Sequence, residues 1–299
     1  MPHSRDEFTC NLCGCGNRLG AVPIDRETAS CASCGSNVRT RGLLYALSME
    51  LFGTGLILRD FPRIGSVRGL GISDSNDYAA LLKQKFDYRN TFYDREPRFD
   101  VTQPDERDLG AYDFVTSSEV FEHVLPPAEA AFRNACELLK PCGVLVFTVP
   151  YSIEATMAEH YPDANQFGFA SVGGELVLVN RTHEGRLQVF EKPVFHYGCS
   201  GRALEMREFN ETELKRMLIE SGFSNSVRVY GEDVPEFGIV HAETWSLPIA
   251  ARKGAPGLSG CAVRDFAEEW RDLNAKFRGE MERFNASFWF RAGRKLGLL

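Results

Sequence analysis

The runs "AYDFVTSS" and "GVLVFTVP" are apolar along nearly their whole length, and "AEAAFRNACELL" between them places Ala, Phe and Leu on one helical face. Strands that read as continuous apolar runs are buried on both sides, so helices must cover the sheet from both faces, and a strand, helix, strand order returns the chain to a parallel neighbour. The alternation begins at residue 64, with "IGSVRGLGIS" as a strand and its loop, "NDYAALLKQKF" as a helix and "YRNTFY" as a second strand. It ends with "NETELKRMLIESGF", a helix with Asn210 as N-cap, Glu213 three residues on and Gly222 as stop, followed by "SVRVY" and "TWSLPIAA" as the last strands. The fold class is therefore α/β, a mainly parallel sheet with helices on both faces. Ligands of such sheets bind outside the carboxyl ends of the strands. The loops after each strand are where a site is expected.

A chain of 299 residues holds one such domain with attachments, because single cores stop growing at roughly 250 to 300 residues. With 34 basic against 41 acidic side chains the net charge is -7, which repels a phosphate backbone and disfavours nucleic acid as a partner. The N-terminal residues carry no secretory pattern, and no apolar run reaches the roughly 20 residues that span a bilayer. A cytoplasmic protein without a transmembrane segment is expected. In a reducing compartment the nine cysteines read as metal ligands or small hydrophobes rather than disulfides.

Five of them precede residue 35. Cys10-x2-Cys13 and Cys31-x2-Cys34, each followed by Gly, have the spacing of two knuckles that close a tetrahedral zinc site, with Cys15 as a spare thiol. A zinc ribbon over residues 1–40 is expected. Its cations Arg18, Arg26, Arg39 and Arg41 are interspersed with Asp6, Glu7, Asp25 and Glu27, so they form no basic stripe for nucleic acid. The helix "TRGLLYALSMELF" joins it to the main domain.

The stretch "YDFVTSSEVFEHVLPPAEAAFRNACELLKPCGVLVFTVPY", with "GLGISDS" before it and the capped helix after it, resembles the centre of class I S-adenosylmethionine-dependent methyltransferases. The resemblance covers about residues 60 to 252 and implies a Rossmann-like sheet of seven strands with S-adenosylmethionine as cofactor. It implies that the loop Gly69 to Ser75 cradles the methionine part, near Gly71 and Ser73. Asp94, with Glu96 as alternate, would hold the ribose; Asp100 and Val101 would flank the adenine; Ser118 and Glu119 would lie beside the sulfonium. The family's loop pattern is acid-x-Gly-x-Gly-x-Gly. This chain has Gly69-Leu70-Gly71-Ile72-Ser73-Asp74-Ser75, without the leading acid and two of the glycines, and Asp74 is the residue placed to recover the contact to the cofactor's amino group.

If "SSEVFEHV" starts a helical turn, Glu119, Glu122 and His123 project from one face. Two carboxylates and an imidazole make a half-site for magnesium or manganese, and the Glu-x-x-Glu-His order resembles the metal-binding segment of ubiquinone-pathway O-methyltransferases and of small-RNA 2'-O-methyltransferases. His123, His160 and His196 are the candidate general bases for a hydroxyl acceptor, the last two lying in an insertion over about residues 151–206. Within it, "LVLVNRTHEGRLQVF" reads as a hairpin flap, with Tyr151, Tyr161, Phe167, Phe169, Tyr197 and Arg207 as the lining of a pocket roof.

From Phe266 onward, apolar residues recur at steps of three and four as one amphipathic helix over residues 256–299, suited to a homodimer contact. Between ribbon and tail, residues 41–255 form the expected methyltransferase domain. The reading is O-methylation of a sugar, glycan or other small-molecule hydroxyl. The alternatives are an RNA methyltransferase recruited through the ribbon and a non-catalytic binding relative.

Overall fold

Phe114, Val115 and Thr116 have no exposed surface, and neither do Val144, Leu145, Val146 and Phe147. Both runs therefore lie in the middle of a sheet covered on two faces, as their composition requires. The computed structural model describes residues 7–18, 25–153, 156–198, 201–223 and 227–254. The expected helix over residues 256–299, and the dimer contact assigned to it, lie outside them.

The chain opens with a hairpin, β1 (Glu7–Thr9) and β2 (Gly16–Arg18), then α1 (Val38–Phe52), whose N-cap Asn37 accepts from the Thr40 amide. The alternating region follows as β3 (Ile64–Ile72), α2 (Asn76–Lys85), β4 (Phe86–Thr91), β5 (Tyr112–Ser118), α3 (Ala128–Leu138) and β6 (Leu139–Thr148). The pairs β3/β4, β3/β5 and β5/β6 are parallel.

Within the insertion come β7 (Tyr151–Ser152), β8 (Ala158–Glu159), β9 (Gln166–Val172), β10 (Glu175–Arg181), β11 (Leu187–Phe190), β12 (Phe195–Gly198) and β13 (Gly201–Leu204). The expected hairpin is β10 and β11, and β9 adds a third antiparallel strand to it. The chain then runs through β14 (Arg207–Asn210), α4 (Glu211–Glu220), β15 (Arg228–Val229) and β16 (Ile249–Arg252). Asn210 caps α4 by accepting from the Glu213 amide at 3.0 Å, as its place before the apolar run requires.

The central sheet has six strands among the described residues, in the order β15-β16-β6-β5-β3-β4. The residue patterns themselves mark six; the seventh came with the family resemblance. The run "TWSLPIAA" pairs only from Ile249, because Pro248 has no amide to donate and Ser246 turns the chain at φ 55°. Helices α3 and α4 pack on one face, where Phe132, Leu138, Leu214 and Leu218 meet Val115 and Phe147. Helices α1 and α2 pack on the other, where Leu43, Leu47 and Leu82 meet Phe114 and Val146.

Phe8, Cys10, Leu12 and Cys31 belong to that second cluster. The N-terminal segment shares its core with the sheet. No helix among the described residues is long and apolar enough to cross a membrane.

Candidate active site

The loop after β3 turns on a serine where a left-handed backbone would favour glycine. Ser73 adopts φ 59°, a left-handed conformation that costs a side-chain-bearing residue energy, and its amide donates to the Thr91 carbonyl at 2.8 Å. Upstream, two glycines remain because neighbours occupy the space: a Cβ on Gly69 would stand 2.2 Å from Phe114 Cζ, and one on Gly71 would stand 2.1 Å from the Tyr88 hydroxyl. The leading acid of the family pattern is thus excluded at Gly69 by the Phe114 ring.

Asp74 is buried beneath this loop, and its Oδ2 accepts from the Tyr88 and Thr116 hydroxyls, both at 2.5 Å. Its Oδ1 makes no hydrogen bond of ordinary geometry, and the buried Tyr78 hydroxyl, also without one, bears on the same carboxyl. Burial pushes the Asp74 carboxyl above its ordinary range, with the Thr116 and Tyr88 hydroxyls acting in opposition. Asn90 braces the same turn, donating to the Asp74 carbonyl at 2.9 Å and accepting from its amide at 3.2 Å. An unpartnered, buried carboxylate oxygen is the kind of acceptor a cofactor's amino group would use.

The other expected cofactor residues divide. Asp94 lies three positions beyond the end of β4, largely exposed and 3.8 Å from Arg95, so it does not join this group. The strand stops at Thr91, earlier than "YRNTFY" implied: its pairing with β3 ends there, and Phe92 bridges to Arg98 instead. Asp100 caps its own turn through the Thr102 amide and hydroxyl at 2.9 and 2.7 Å. Val101 is a core residue whose carbonyl accepts from Asn134.

At the tip of β5 the Ser118 hydroxyl meets that of Thr148 at 3.0 Å and accepts from Arg39. Glu119 follows at φ 55°, with its amide on the Thr148 carbonyl at 2.9 Å. Arg26 grips its carboxylate, with Nη2 2.6 Å from Oε1 and Nη1 3.3 Å from Oε2. Burial opposes ionisation of Glu119, but Arg26 and Arg39 prevail and hold it below the ordinary carboxylate range. Arg26 and Arg39 are therefore site residues; the sequence marks them only as scattered cations of the N-terminal segment.

The next residues form a single 3-10 turn, Phe121–His123, rather than a longer helix. Glu122 is fully buried in it, with Oε1 3.3 Å from His196 Nδ1 and 3.5 Å from His123 Nε2. Burial raises the Glu122 carboxyl and the His196 bond offsets part of that; the same bond raises the His196 imidazole. His123 Nδ1 lies 2.8 Å from the Leu204 carbonyl, which only accepts, so Nδ1 donates there and Nε2 faces the cluster.

Donor atoms of Glu122, His123 and His196 all lie within 4.8 Å of one another. The expected set was Glu119, Glu122 and His123; here His196 takes the third place and Glu119 is turned to Arg26. His160 pairs with Glu205 at 3.1 Å and does not enter the group. The cluster fits a divalent cation on two grounds. Glu122 Oε2 is buried with no hydrogen-bond partner, and an imidazole whose far nitrogen is tied to a carbonyl is the usual form of a metal-ligating histidine.

Arg207, expected in the pocket roof, is instead fully buried beneath this turn. It donates from Nη1 to the carbonyls of Phe121 and Val124, while the Met206 amide donates to the Glu122 carbonyl. Tyr151 and Tyr161 are likewise buried, whereas Phe167 and Phe169 are exposed on β9.

In the N-terminal segment, donor atoms of Cys10, Cys13, Cys31 and Cys34 also lie within 4.8 Å of one another. The Cys10 and Cys34 sulfurs are 3.7 Å apart, as are those of Cys13 and Cys31. Four sulfurs about 2.3 Å from a zinc ion span tetrahedral edges of about 3.8 Å, so the set fits that metal. The Gly14 amide donates to the Cys10 carbonyl and the Gly35 amide to the Cys31 carbonyl, giving the two knuckle turns. Cys15 stands outside the set, against Ser33.

Residues 53–226 match the family model of a methyltransferase domain. No curated protein matches the chain in sequence. Among solved structures, a similar one is an S-adenosylmethionine-dependent methyltransferase from Clostridium acetobutylicum, 12% identical over 62% of this chain and 84% of that one, with a TM-score of 0.36. Another is the 1,6-didemethyltoxoflavin-N1-methyltransferase of Burkholderia thailandensis, 18% identical over 71% and 78% of the two chains, with a TM-score of 0.37. The CcbJ methyltransferase of Streptomyces caelestis is 13% identical over 72% and 89%, with a TM-score of 0.40.

Proposed function

The chain belongs to the methyltransferase-domain family, and from that membership we propose that it moves a methyl group from S-adenosylmethionine to the oxygen of a hydroxyl on a sugar, glycan or other small molecule. The observation that carries the acceptor chemistry is the convergence of Glu122, His123 and His196 beside Ser118 and Glu119 at the tip of β5. An alcohol is a poor nucleophile until its proton is polarised or removed. A buried carboxylate with two imidazoles answers the alcohol's need.

The donor would supply an electrophilic methyl group. The turn from Gly69 to Asp74 would receive its amino-acid part, with Asp74 Oδ1 accepting from the amino group. Ser118 and Glu119 would face the sulfur. In this reading Glu122, His123 and His196 hold a divalent cation such as magnesium or manganese, which would supply Lewis acidity toward the acceptor oxygen. The 3.3 Å bond from His196 Nδ1 to Glu122 favours a second reading. Here Glu122 orients His196, and His196 Nε2 receives the hydroxyl proton directly.

The four cysteines are assigned to structural zinc. Recruitment of RNA by this segment is the weaker reading, since Arg26, Arg39 and Arg41 point inward to Glu119, Ser118 and the Ser36 carbonyl. Only Arg18 among the four is well exposed.

Mass spectrometry of reactions with polyols, sugars and RNA is the test, scored by gain of one methylene on oxygen. Loss of transfer in EDTA with recovery in Mn²⁺ supports the cation. Full transfer in EDTA with loss in His196→Ala supports the base, and methylation confined to nitrogen or carbon acceptors overturns both.

A further inference from the structure

Arg26 leaves the four-cysteine segment and crosses to the tip of β5, a contact between residues 93 apart in sequence. Its main chain is pinned. The Arg26 carbonyl accepts from the Arg39 amide at 3.1 Å, and the neighbouring Asp25 carboxylate accepts from the Glu27 and Thr28 amides at 2.8 and 2.6 Å. Nε donates to the Ser246 carbonyl at 2.9 Å, which fixes the plane of the guanidinium. Nη2 then donates to Glu119 Oε1 at 2.6 Å, and Nη1 is shared between Glu119 Oε2 at 3.3 Å and the neighbouring Glu27 carboxylate; the Glu119 side chain is 10% exposed.

Held this way, Glu119 Oε2 lies 3.8 Å from His196 Nε2, at the edge of the Glu122, His123 and His196 group but outside it. We propose that Arg26 is a positioning residue that acts through Glu119 and keeps the cation site at three protein ligands. The inference rests on the cation reading above. A carboxylate committed to a two-pronged guanidinium has no oxygen to spare for a metal at full strength. Without the fork, a nearly buried carboxylate would keep only the charge of Arg39, with no hydrogen bond from it, and turning onto the cation is the move that relieves it.

The consequence is an open coordination position. Three protein ligands leave three of the six positions of an octahedral ion for the acceptor oxygen and water, and a fourth would leave two. The N-terminal segment thereby becomes a wall of the reaction site, delivering one arginine to the carboxylate and a second, Arg39, to Ser118 beside it.

Mn²⁺ affinity, read by electron paramagnetic resonance on the full chain, tests this without turnover. Arg26→Gln is expected to bind Mn²⁺ about tenfold more tightly, the scale on which added ligand charge tunes such sites. In a Glu119→Gln background the same change is expected to do nothing. Arg26→Lys, which keeps the charge and loses the fork, falls between and serves if Arg26→Gln does not fold. Unchanged or weaker Mn²⁺ binding in a folded Arg26 variant overturns the inference and leaves the cation reading standing. A native chain that binds no Mn²⁺ overturns both.

Discussion

The Arg207 guanidinium, with no solvent exposure, donates from Nε to Glu159 Oε1 at 2.6 Å. Its Nη1 reaches the carbonyls of Phe121 and Val124 at 3.1 and 2.6 Å, the residues on either side of Glu122 and His123. One buried cation thus sets the spacing of the turn that carries the cluster. Removing one member of a buried pair commonly costs about 3 to 5 kcal/mol, so Arg207→Met is expected to unfold at markedly lower urea. Arg207→Lys, which keeps charge but not the fork, should fold, bind S-adenosylhomocysteine normally and lose Mn²⁺ affinity. Equal Mn²⁺ affinity in that variant would sink the clamp.

Asp74 gives a pH dependence whose sign can be worked out. Its folded pKa is raised by burial, so the folded state holds the proton more firmly than the unfolded state does. That contribution to stability is complete below the ordinary carboxylate pKa and is lost as pH rises through the raised value. Asp74→Asn should flatten this decline in urea titrations between pH 4 and 8, on the order of the carboxylate range. It should also weaken S-adenosylhomocysteine binding by about tenfold in calorimetry, since the amide oxygen still accepts but the negative charge facing a charged amine is lost. Native affinity in the variant would remove Asp74 from the donor site.

The four cysteines predict zinc bound at one ion per chain. Cys34→Ser should abolish it in elemental analysis. Because Phe8, Leu12 and Cys31 share a core with α1 and the sheet, the loss should propagate beyond the segment and lower global stability by more than about 4 kcal/mol. A variant that melts normally would mean the segment is held by its apolar contacts alone.

Ser73 offers a milder test. At φ 59° a side chain costs about 1 kcal/mol or more, which glycine avoids while losing more entropy on folding. Ser73→Gly should change stability by less than about 1 kcal/mol, in the stabilising direction. A larger loss would show that the hydroxyl, rather than the turn, is what matters there.

Much of this was legible in the order of residues. Burial of Phe114 through Thr116 and of Val144 through Phe147 follows from their apolar runs, and Asn210 caps α4 because a short polar side chain precedes an apolar period. The knuckle turns follow from Cys-x2-Cys with a glycine behind. Local spacing carries all of these. What it does not carry is the pairing of distant side chains. His160 and His196 look alike in the sequence, and only the β12/β13 hairpin brings His196 to Glu122. Asp94 lies beyond the end of β4, since pairing with β3 runs only to Thr91, a boundary that composition does not mark. The strand β9 has every residue exposed, so no alternation announces it.

Gly69 is fixed by its neighbour across the sheet. With Phe114 Cζ only 2.2 Å from where a Cβ would sit, no acid can return to that position while the ring remains, and shrinking the ring first opens a void under the sheet. Each change is damaging alone. Under the donor reading proposed above, redesign of amine recognition would therefore begin at Asp74 and not at Gly69.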